Sequence, residues 1–512
     1  MNIKRILFIL TLFIFIIQSQ AGFSQKDPLD KKYSLKIINE PLYKTLIELN
    51  QKTNLNFSYN ASLINGDKKV TIKKKEAPLK EIITGALNDT SLAFEVYNQH
   101  LIIYNKNKKP VFSEKNIREL TSIEIRGEIH AQSSGKPLPY ASIGLLNEPL
   151  GTMANLDGEF IFKVDPDFMN DTIVFSHIGY GDKYIPVHSA IGKKLDIKLK
   201  KKYYTIQQVI VRANNPQSIL LNSISRIEDN YFEEPVQLTG FYRETVKKEE
   251  EFASVSEAIL KIYRPHGKVF RGDQVKILKS RKSLNYNTKD SVMLKLKAGL
   301  ESTFLLDIIK ERANFLQVSR MSLYHYKLSN ISFYNGNDTY VISFSPKEEA
   351  SVPLYHGKLF IDVNSLAIVA AEFSLDKSNL KKIASSLIIK KKWGLNVKPK
   401  EVKYFVSYKK SSMNKYYVNH IRGDLTFRVR KKEKFFGKNF QVSFEMATSN
   451  IKTNNVKPFS RQSVARAHKI FIEQIEGYDA NFWEDYNIIK PDEPVKETLN
   501  NIKSKIQKLP SE

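Results

Sequence analysis

A chain of 512 residues, 42% of them hydrophobic, is long enough for two or three domains, and its lack of cysteine excludes disulfides, thiolate metal sites, cysteine nucleophiles and the lipid-bearing cysteine of a bacterial lipoprotein. The formal net charge of +26 could attract an anionic surface, but the lysines are spread over many segments of a Lys-, Asn- and Ile-rich sequence, so a solvated surface accounts for the charge better than a dedicated patch. The runs Lys73 to Lys75, Lys200 to Lys202 and Lys390 to Lys392 read accordingly as strand ends and turns.

In the leading segment, Lys4 and Arg5 precede the apolar run Ile6 to Ile17, and small residues follow at Ser19, Ala21, Gly22 and Ser24. Residues 1–24 therefore read as a secretory signal peptide cleaved after Ala21 or Ser24, because 12 apolar residues are too few for a spanning helix, which needs about 20. The expected location is the periplasm, with outer-membrane association, no lipid anchor and no access to nucleic acid. No later segment is apolar enough to span a bilayer as a helix, so any membrane contact is expected to be peripheral or through strands.

Residues 31–106 carry an internal repeat at an offset of 37: Pro41 falls on Pro78, Leu42 on Leu79, Leu46 on Ile83, Thr53 on Thr90, Leu55 on Leu92 and Phe57 on Phe94. Each copy predicts strand, helix, strand. The prolines stand where a helix begins, Leu42, Leu46 and Leu49 follow at helical spacing, and Leu55, Phe57 and Tyr59 alternate. A small α+β module results. PLYKTLIELNQKTNLNFSY and PLKEIITGALNDTSLAFEV resemble the secretin and TonB short N-terminal domain, which implies a periplasmic protein-contact module and not an enzyme.

A polar linker, residues 107 to 121, precedes a second module at 122–200. Ile123, Ile125, Gly127 and Ile129 begin an alternating strand, KPLPYASIGLL gives a turn and another strand, and Asp157-Gly158 predicts a tight hairpin turn between MANL and EFIFKV. Short strands separated by turns predict a β-sandwich. GEIHAQSSGKPLPYASI, GTMANLDGEFIF and DTIVFSHIGY resemble, in order, the carboxypeptidase regulatory-like domain that precedes bacterial outer-membrane receptors, and YYTIQQVIV (Tyr203 to Val211) resembles the segment that follows it there. That domain has no peptidase chemistry of its own. His177 in SHIGY lacks zinc-ligand spacing, and Gly179 and Gly181 punctuate the backbone. A receptor would next need a plug and a barrel of about 22 strands, for which the 300 residues after Arg212 are too few.

Residues 214–490 predict a curved, half-barrel-like antiparallel sheet with helices, and 491–512 a polar tail. DTYVISF, EVKYFVSYKK and NFQVSFEMA alternate, and GKLFIDVNSLAIVAAEFSL reads as a hairpin turning at Val363 to Ser365. In HIRGDLTFRVR, Ile421, Leu425, Phe427 and Val429 share a face expected to be buried, and Arg422, Asp424, Thr426, Arg428 and Arg430 a face expected to be wet. Helices are predicted over 218–232, 299–316 and 461–475. FYRETVKKEEEFASVSEAILKIYR and LYHGKLFIDVNSLAIVAAEF look like the C-terminal region of Bacteroidota envelope proteins that carry the regulatory-like domain, and the element order is similar to the half-barrel of lipoprotein-sorting carriers.

No local motif for a reaction stands out. None of His100, His130, His177, His188, His266, His325, His356, His420 and His468 forms an H-E-x-x-H helix or lies at metal-ligand spacing from another, and neither a nucleophile elbow nor a phosphate-binding loop occurs after the signal. The carboxylate clusters Asp157/Glu159, Glu249 to Glu251 and Glu484/Asp485 read as solvated turns, and FWEDYNII (Phe482 to Ile489) as a packing anchor docking a C-terminal segment on the sheet. The sequence thus predicts a multidomain, mainly β protein with no catalytic, cofactor or metal residues: an envelope interaction or adaptor protein, with envelope proteins as partners. A carrier of a lipid or other hydrophobic ligand and an enzyme without a local motif remain as alternatives, separated by whether the interior at Ile421, Leu425 and Phe427 is packed or open.

Overall fold

The computed structural model describes residues 27–53, 55–59, 64, 68–97, 100–108, 122–204, 215–265, 272–284, 294–296, 299–347, 352–384, 387–391, 394–432, 434–475, 486–492 and 495. The chain divides into two compact units, Met1–Thr121 and Ser122–Glu512.

In the first unit the 37-residue offset recurs in three dimensions. β1 (Lys32–Pro41), α1 (Leu42–Thr53) and β2 (Asn56–Tyr59) are followed by β3 (Lys69–Pro78), α2 (Leu79–Leu87), β4 (Leu92–Tyr97) and β5 (His100–Asn105). β1 pairs antiparallel with β3, and β5 lies between β2 and β4 in a second sheet. Leu42, Leu46, Leu49, Leu79, Ile82 and Ile83 are buried, as their helical spacing requires. Each copy carries a bulge with one residue in the left-handed region, Asn39 at φ 54° and Glu76 at φ 49°. The Asn39 N–H donates to Thr71 Oγ1 at 3.0 Å, and the Glu76 N–H donates to Ser34 Oγ at 3.1 Å. Ser34 and Thr71 are themselves 37 residues apart, so each copy supplies the hydroxyl that satisfies the bulge of the other.

The second unit begins with a sandwich of two sheets. β6 (Ile123–Ala131), β9 (Glu159–Val164) and β12 (Lys194–Leu199) form one, in the order β12-β6-β9, and β7 (Ser142–Leu145), β8 (Gly151–Met153), β10 (Thr172–Ser176) and β11 (Lys183–Pro186) form the other, in the order β11-β10-β7-β8. Ile125, Ile129, Phe160, Phe162, Ile173, Phe175 and Ile197 fill the space between them. The Asp157-Gly158 turn does not close a hairpin. β8 and β9 belong to different sheets, and the turn carries the chain from one to the other, with Gly158 at φ 76° and Asn155 Oδ1 accepting from the N–H groups of Asp157 and Glu159. A side chain at Gly158 would meet the Ile129 carbonyl at 2.5 Å.

Among the described residues the rest of the unit is dominated by one eleven-stranded antiparallel sheet, ordered β13-β18-β19-β20-β21-β23-β24-β25-β14-β15-β16. Its strands are β13 (Tyr203–Tyr204), β14 (Val236–Lys248), β15 (Glu251–Arg264), β16 (Gln274–Leu284), β18 (Tyr324–Tyr334), β19 (Asn337–Pro346), β20 (His356–Asp362), β21 (Ile368–Ser374), β23 (Leu395–Lys410), β24 (Tyr416–Lys431) and β25 (Lys438–Lys452), while β17 (Leu294–Leu296) pairs with β22 (Ile388–Lys391). Tyr203–Tyr204, just past the sandwich, joins the edge against Ser332 and Ile331, and Thr205 to Val211 lie outside the described residues. Residues of β14 to β16, β18 to β21 and β23 to β25 enter a single core with Ile219 and Leu220 of α3 (Pro216–Ser225) and Leu300 and Phe304 of α4 (Leu300–Leu305), so the sheet wraps around that core as an open half-barrel. Ile421, Leu425 and Phe427 are at most 1% exposed in it, which makes the interior packed at the residues where an open cavity was the alternative. Gly423 is required there, because the Phe444 ring lies across it and a Cβ would come within 2.3 Å.

Of the three helical expectations, two are shortened by tertiary contacts. The 299–316 segment is α-helical only over Leu300–Leu305, after which Asp307 accepts from Arg264 Nη1 at 2.6 Å and from Tyr408 OH at 2.8 Å and so draws the chain out of the helix. Over 461–475 only Arg461–Ser463 and Phe471–Gln474 are helical; the Ala465 N–H donates to the Val275 carbonyl of β16 at 2.7 Å rather than to its own segment. The 218–232 segment is helical over Pro216–Ser225 (α3) and again over Ile227–Asn230, with one break at Arg226. Replacing Leu425 by Ala, which removes buried methyl groups from this packed interior, is expected to cost about 3 kcal/mol of stability, measured by urea unfolding followed by circular dichroism.

Candidate functional site

Across the outer face of the large sheet, five adjacent strands set one charged residue each at the same level. Register places Arg422 of β24 opposite Glu445 of β25, Glu445 opposite Arg243 of β14, Arg243 opposite Glu257 of β15, and Glu257 opposite Arg281 of β16. Signs alternate along this row. Arg422 Nη1 donates to Glu445 Oε2 at 3.2 Å, Arg243 Nη1 to Glu445 Oε1 at 3.2 Å, Arg243 Nε to Glu257 Oε1 at 2.7 Å, and Arg281 Nε to Glu257 Oε2 at 2.5 Å. At one end Arg422 also holds Asp424 through two bonds of 2.7 Å, and Ser443 Oγ donates to the same carboxylate. Three guanidiniums thus meet three carboxylates, which leaves the group neutral as its burial demands.

The sandwich and a C-terminal strap cover this row. Tyr140, at φ 59°, lays its ring on His420 with centroids 5.3 Å apart, and the Arg422 guanidinium stands 4.8 Å from the same ring. Strap residues Ile488 and Ile489 pack with Met153 of the sandwich and Phe241, Ile259 and Ala447 of the sheet, and Arg243 Nη2 donates to the Ile489 carbonyl at 2.8 Å. The Asn487 side chain bridges to β9 like a strand neighbour, accepting from the Lys163 N–H at 2.7 Å and donating to its carbonyl at 2.9 Å. Thr152 Oγ1 donates to the Ile488 carbonyl, Lys490 pairs with Glu159 at 2.7 Å, and Val495 is buried against Phe252 and Val255. Sandwich, strap and sheet therefore form one joint.

This joint corrects three expectations. The face of β24 read as wet is closed at its His420 and Arg422 end and open only beyond it. Past residue 490, Pro491 and Asp492 are half-buried and Val495 is buried, where a polar tail was expected to begin. Tyr486 to Ile489 anchor the chain as FWEDYNII suggested, but between sheet and sandwich; Phe482 to Asp485 lie outside the described residues. Of the other sequence clusters, Glu159 reaches the joint, and Glu249 and His177 do not. Glu159 goes to Lys490, Glu249 accepts from the Asn439 N–H, and His177 Nδ1 meets the Ile178 carbonyl oxygen at 2.9 Å within its own turn.

Beside the ladder lies a cleft of about 350 Å³ lined by Tyr140, Arg422, Asp424, Ser443, Glu445 and Asp492 among others. Burial works against the Glu445 charge, but the Arg422 and Arg243 guanidiniums, each within hydrogen-bond reach, outweigh it and hold the carboxyl down at about 2. The His420 Nε2 is 3.9 Å from that carboxylate, too far for a hydrogen bond, and burial keeps the imidazole neutral. Glu244, one residue on from Arg243, faces the opposite, apolar side. There desolvation outweighs the hydrogen bond from Tyr242 and pushes the carboxyl up to about 7. Among the described residues no group of three or more metal-ligating side chains converges.

Sequence reasoning placed Arg422 and Asp424 on a shared face but missed their partners on other strands; the Arg243 and Glu445 pair of the same row spans 202 residues. A signal was present: FYRETV, SVSEAIL and SFEMA set charges inside apolar strands, where a solvated position is not expected.

Residues 125–211, which include the sandwich side of this joint, match the CarboxypepD_reg-like domain family. No curated protein matches the chain. Among solved structures the chain is similar to a DUF1329 family protein from Desulfovibrio piger, at 11% identity over 49% of this chain and 100% of that one with a TM-score of 0.22. It is also similar to lipovitellin, at 9% identity over 45% of this chain and 27% of that one with a TM-score of 0.20, and to MucB in complex with MucA(peri), at 12% identity over 47% and 99% with a TM-score of 0.15. At such TM-scores none of these likenesses bears on function.

Glu257→Gln leaves two buried guanidiniums sharing a neutral partner, and is expected to cost about 3 kcal/mol or more in urea unfolding. The two perturbed glutamates act in opposite senses with pH. A carboxyl raised from 4.5 to about 7 in the folded chain, as at Glu244, gives its full contribution below 4.5 and loses it as pH rises through about 7. Glu445, held at about 2, contributes fully above 4.5 and loses that contribution as pH falls through about 2. The urea midpoint should therefore fall between about pH 5 and about pH 8, and Glu244→Gln should flatten that slope while Glu445→Gln lowers the midpoint throughout.

Proposed function

We propose that this chain is a non-enzymatic interaction protein of the bacterial envelope, exported to the periplasm, in which residues 31–106 and the regulatory-like module are contact domains and the half-barrel carries the latter. The observation that carries this reading is the state of the charged cleft. Each carboxylate lining it has a partner: Glu401 meets Lys403, Asp424 meets Arg422 and Ser443, Glu445 meets two arginines, and Asp492 accepts from the Val495 N–H. These contacts lie within the sheet and within the strap, so the cleft carboxylates serve the fold and not a reaction. The resemblance of the first unit to the secretin and TonB short N-terminal domain, and the signal-like residues 1–24, support the envelope placement. Packing around Leu425 favours this reading over the lipid carrier.

The test uses cell fractionation and a photo-crosslinking residue at Ile38, a half-exposed apolar side chain on β1 of the first unit. The expected result is recovery with the envelope and a discrete crosslink to an envelope protein. Recovery in the cytoplasm, or a stoichiometric lipid retained through purification and seen by native mass spectrometry, would overturn it.

A further inference from the structure

The hairpin joining β24 to β25 ends in Phe435 and Phe436, which are 93% and 86% exposed; the next most exposed large apolar side chain among the described residues, Val318, reaches only 59%. Two adjacent aromatic rings fully in water at one tip are not a by-product of core packing, since the strands on either side bury Phe427, Val429 and Phe440 normally. The charge around them is predominantly positive. From Arg428 to Lys438 the sequence RVRKKEKFFGK holds six basic residues and one acidic residue, and Arg430, Lys431, Lys432, Lys434 and Lys438 are exposed. Lys398 of β23, opposite Arg428, is exposed on the same arm. The neighbouring β14–β15 turn brings Lys247, Lys248 and the acids Glu249 to Glu251, but it is set back from the tip. Lys248 lies opposite Phe440, and Glu249 is tied to the Asn439 N–H.

We infer that this tip is a membrane-contact site, with Phe435 and Phe436 inserting at the headgroup and acyl boundary of an anionic bilayer and the surrounding lysines and arginines meeting the lipid phosphates. The chemistry matches the two-signal requirement for reversible anchoring, a modest apolar insertion together with a basic patch, neither sufficient alone. The tip is a convex projection, so it lacks the concavity by which a protein or small ligand would be enclosed, whereas a lipid surface needs none. The site lies beyond the covered end of the ladder face and goes beyond the interaction reading, because it requires no protein partner.

The absence of cysteine allows a local probe in the full chain. Lys434→Cys carries an environment-sensitive fluorophore beside both rings, and Met413→Cys, in the turn at the opposite end of the same sheet's β23–β24 pair, carries it as reference. With vesicles of phosphatidylcholine and phosphatidylglycerol, the label at 434 should shift to the blue and be quenched by nitroxide lipids, and the label at 413 should do neither. The response should weaken with salt and vanish on phosphatidylcholine alone. Phe435→Ser with Phe436→Ser should lower the vesicle affinity of this labelled end about tenfold or more with an unchanged circular dichroism spectrum. A label at 434 that stays aqueous on vesicle-bound protein overturns the inference, as do equal responses at both positions, which would mean binding through another segment. A blue shift produced by an acidic protein and not by vesicles would assign the tip to a protein partner and equally overturn it.

Discussion

The rest of the second unit depends on a row of alternating guanidiniums and carboxylates laid across five strands, Arg422, Glu445, Arg243, Glu257 and Arg281. Such a row adds little net stability, because desolvation of the ions offsets most of their attraction. Its effect is on register. Side chains alternate faces with a period of two, so sliding any of these strands by one residue would turn an arginine or glutamate into the apolar interior and a residue such as Met446 or Tyr242 out of it. The cost of one misplaced charge is paired with the cost of leaving its neighbour unpaired, and a sheet of long strands with otherwise interchangeable apolar residues acquires a single alignment.

A buried row must also be covered. Tyr140 from the sandwich and Ile488 and Ile489 from the strap lie over the ladder, and the strap is held on its other side by Asn487 against β9. The regulatory-like module is thereby fixed to the sheet and not strung from it. Donors left over by the ladder set the details: Arg243 Nη2 needs an acceptor, and the Ile489 carbonyl supplies it. Beyond Arg422 the same strand runs nine residues further, about 30 Å, to an arm whose exposed face stays polar and whose tip is aromatic and basic. One face thus divides into a sealed end that joins modules and a free end that can meet a surface.

Much of this was legible in the residues. The 37-residue repeat announced two strand-helix-strand copies, and the alternation in HIRGDLTFRVR separated Ile421, Leu425 and Phe427 from Arg422 and Asp424, because both follow from local geometry: 3.6 residues per helical turn and two per strand repeat. The exchange of hydroxyls between Ser34 and Thr71 was not legible, since it depends on how the two copies pair. Nor were the helix breaks. Asp307 carries no local instruction to leave a helix; Arg264 and Tyr408, brought to it by distant strands, give that instruction.

The sequence by itself determined the modules, the periods of their elements and the absence of thiol chemistry, because these are properties of neighbouring residues or of composition. Tertiary structure alone decided that Glu257 and Glu445 are ladder rungs and not solvated acids, that the C-terminal strap is structural, that the interior at Leu425 is filled, and that Phe435 and Phe436 remain uncovered. The physical reason is the same in each case. Burial and pairing are fixed by which strands lie side by side, and ladder residues 14 to 202 positions apart in the chain become neighbours only through the fold.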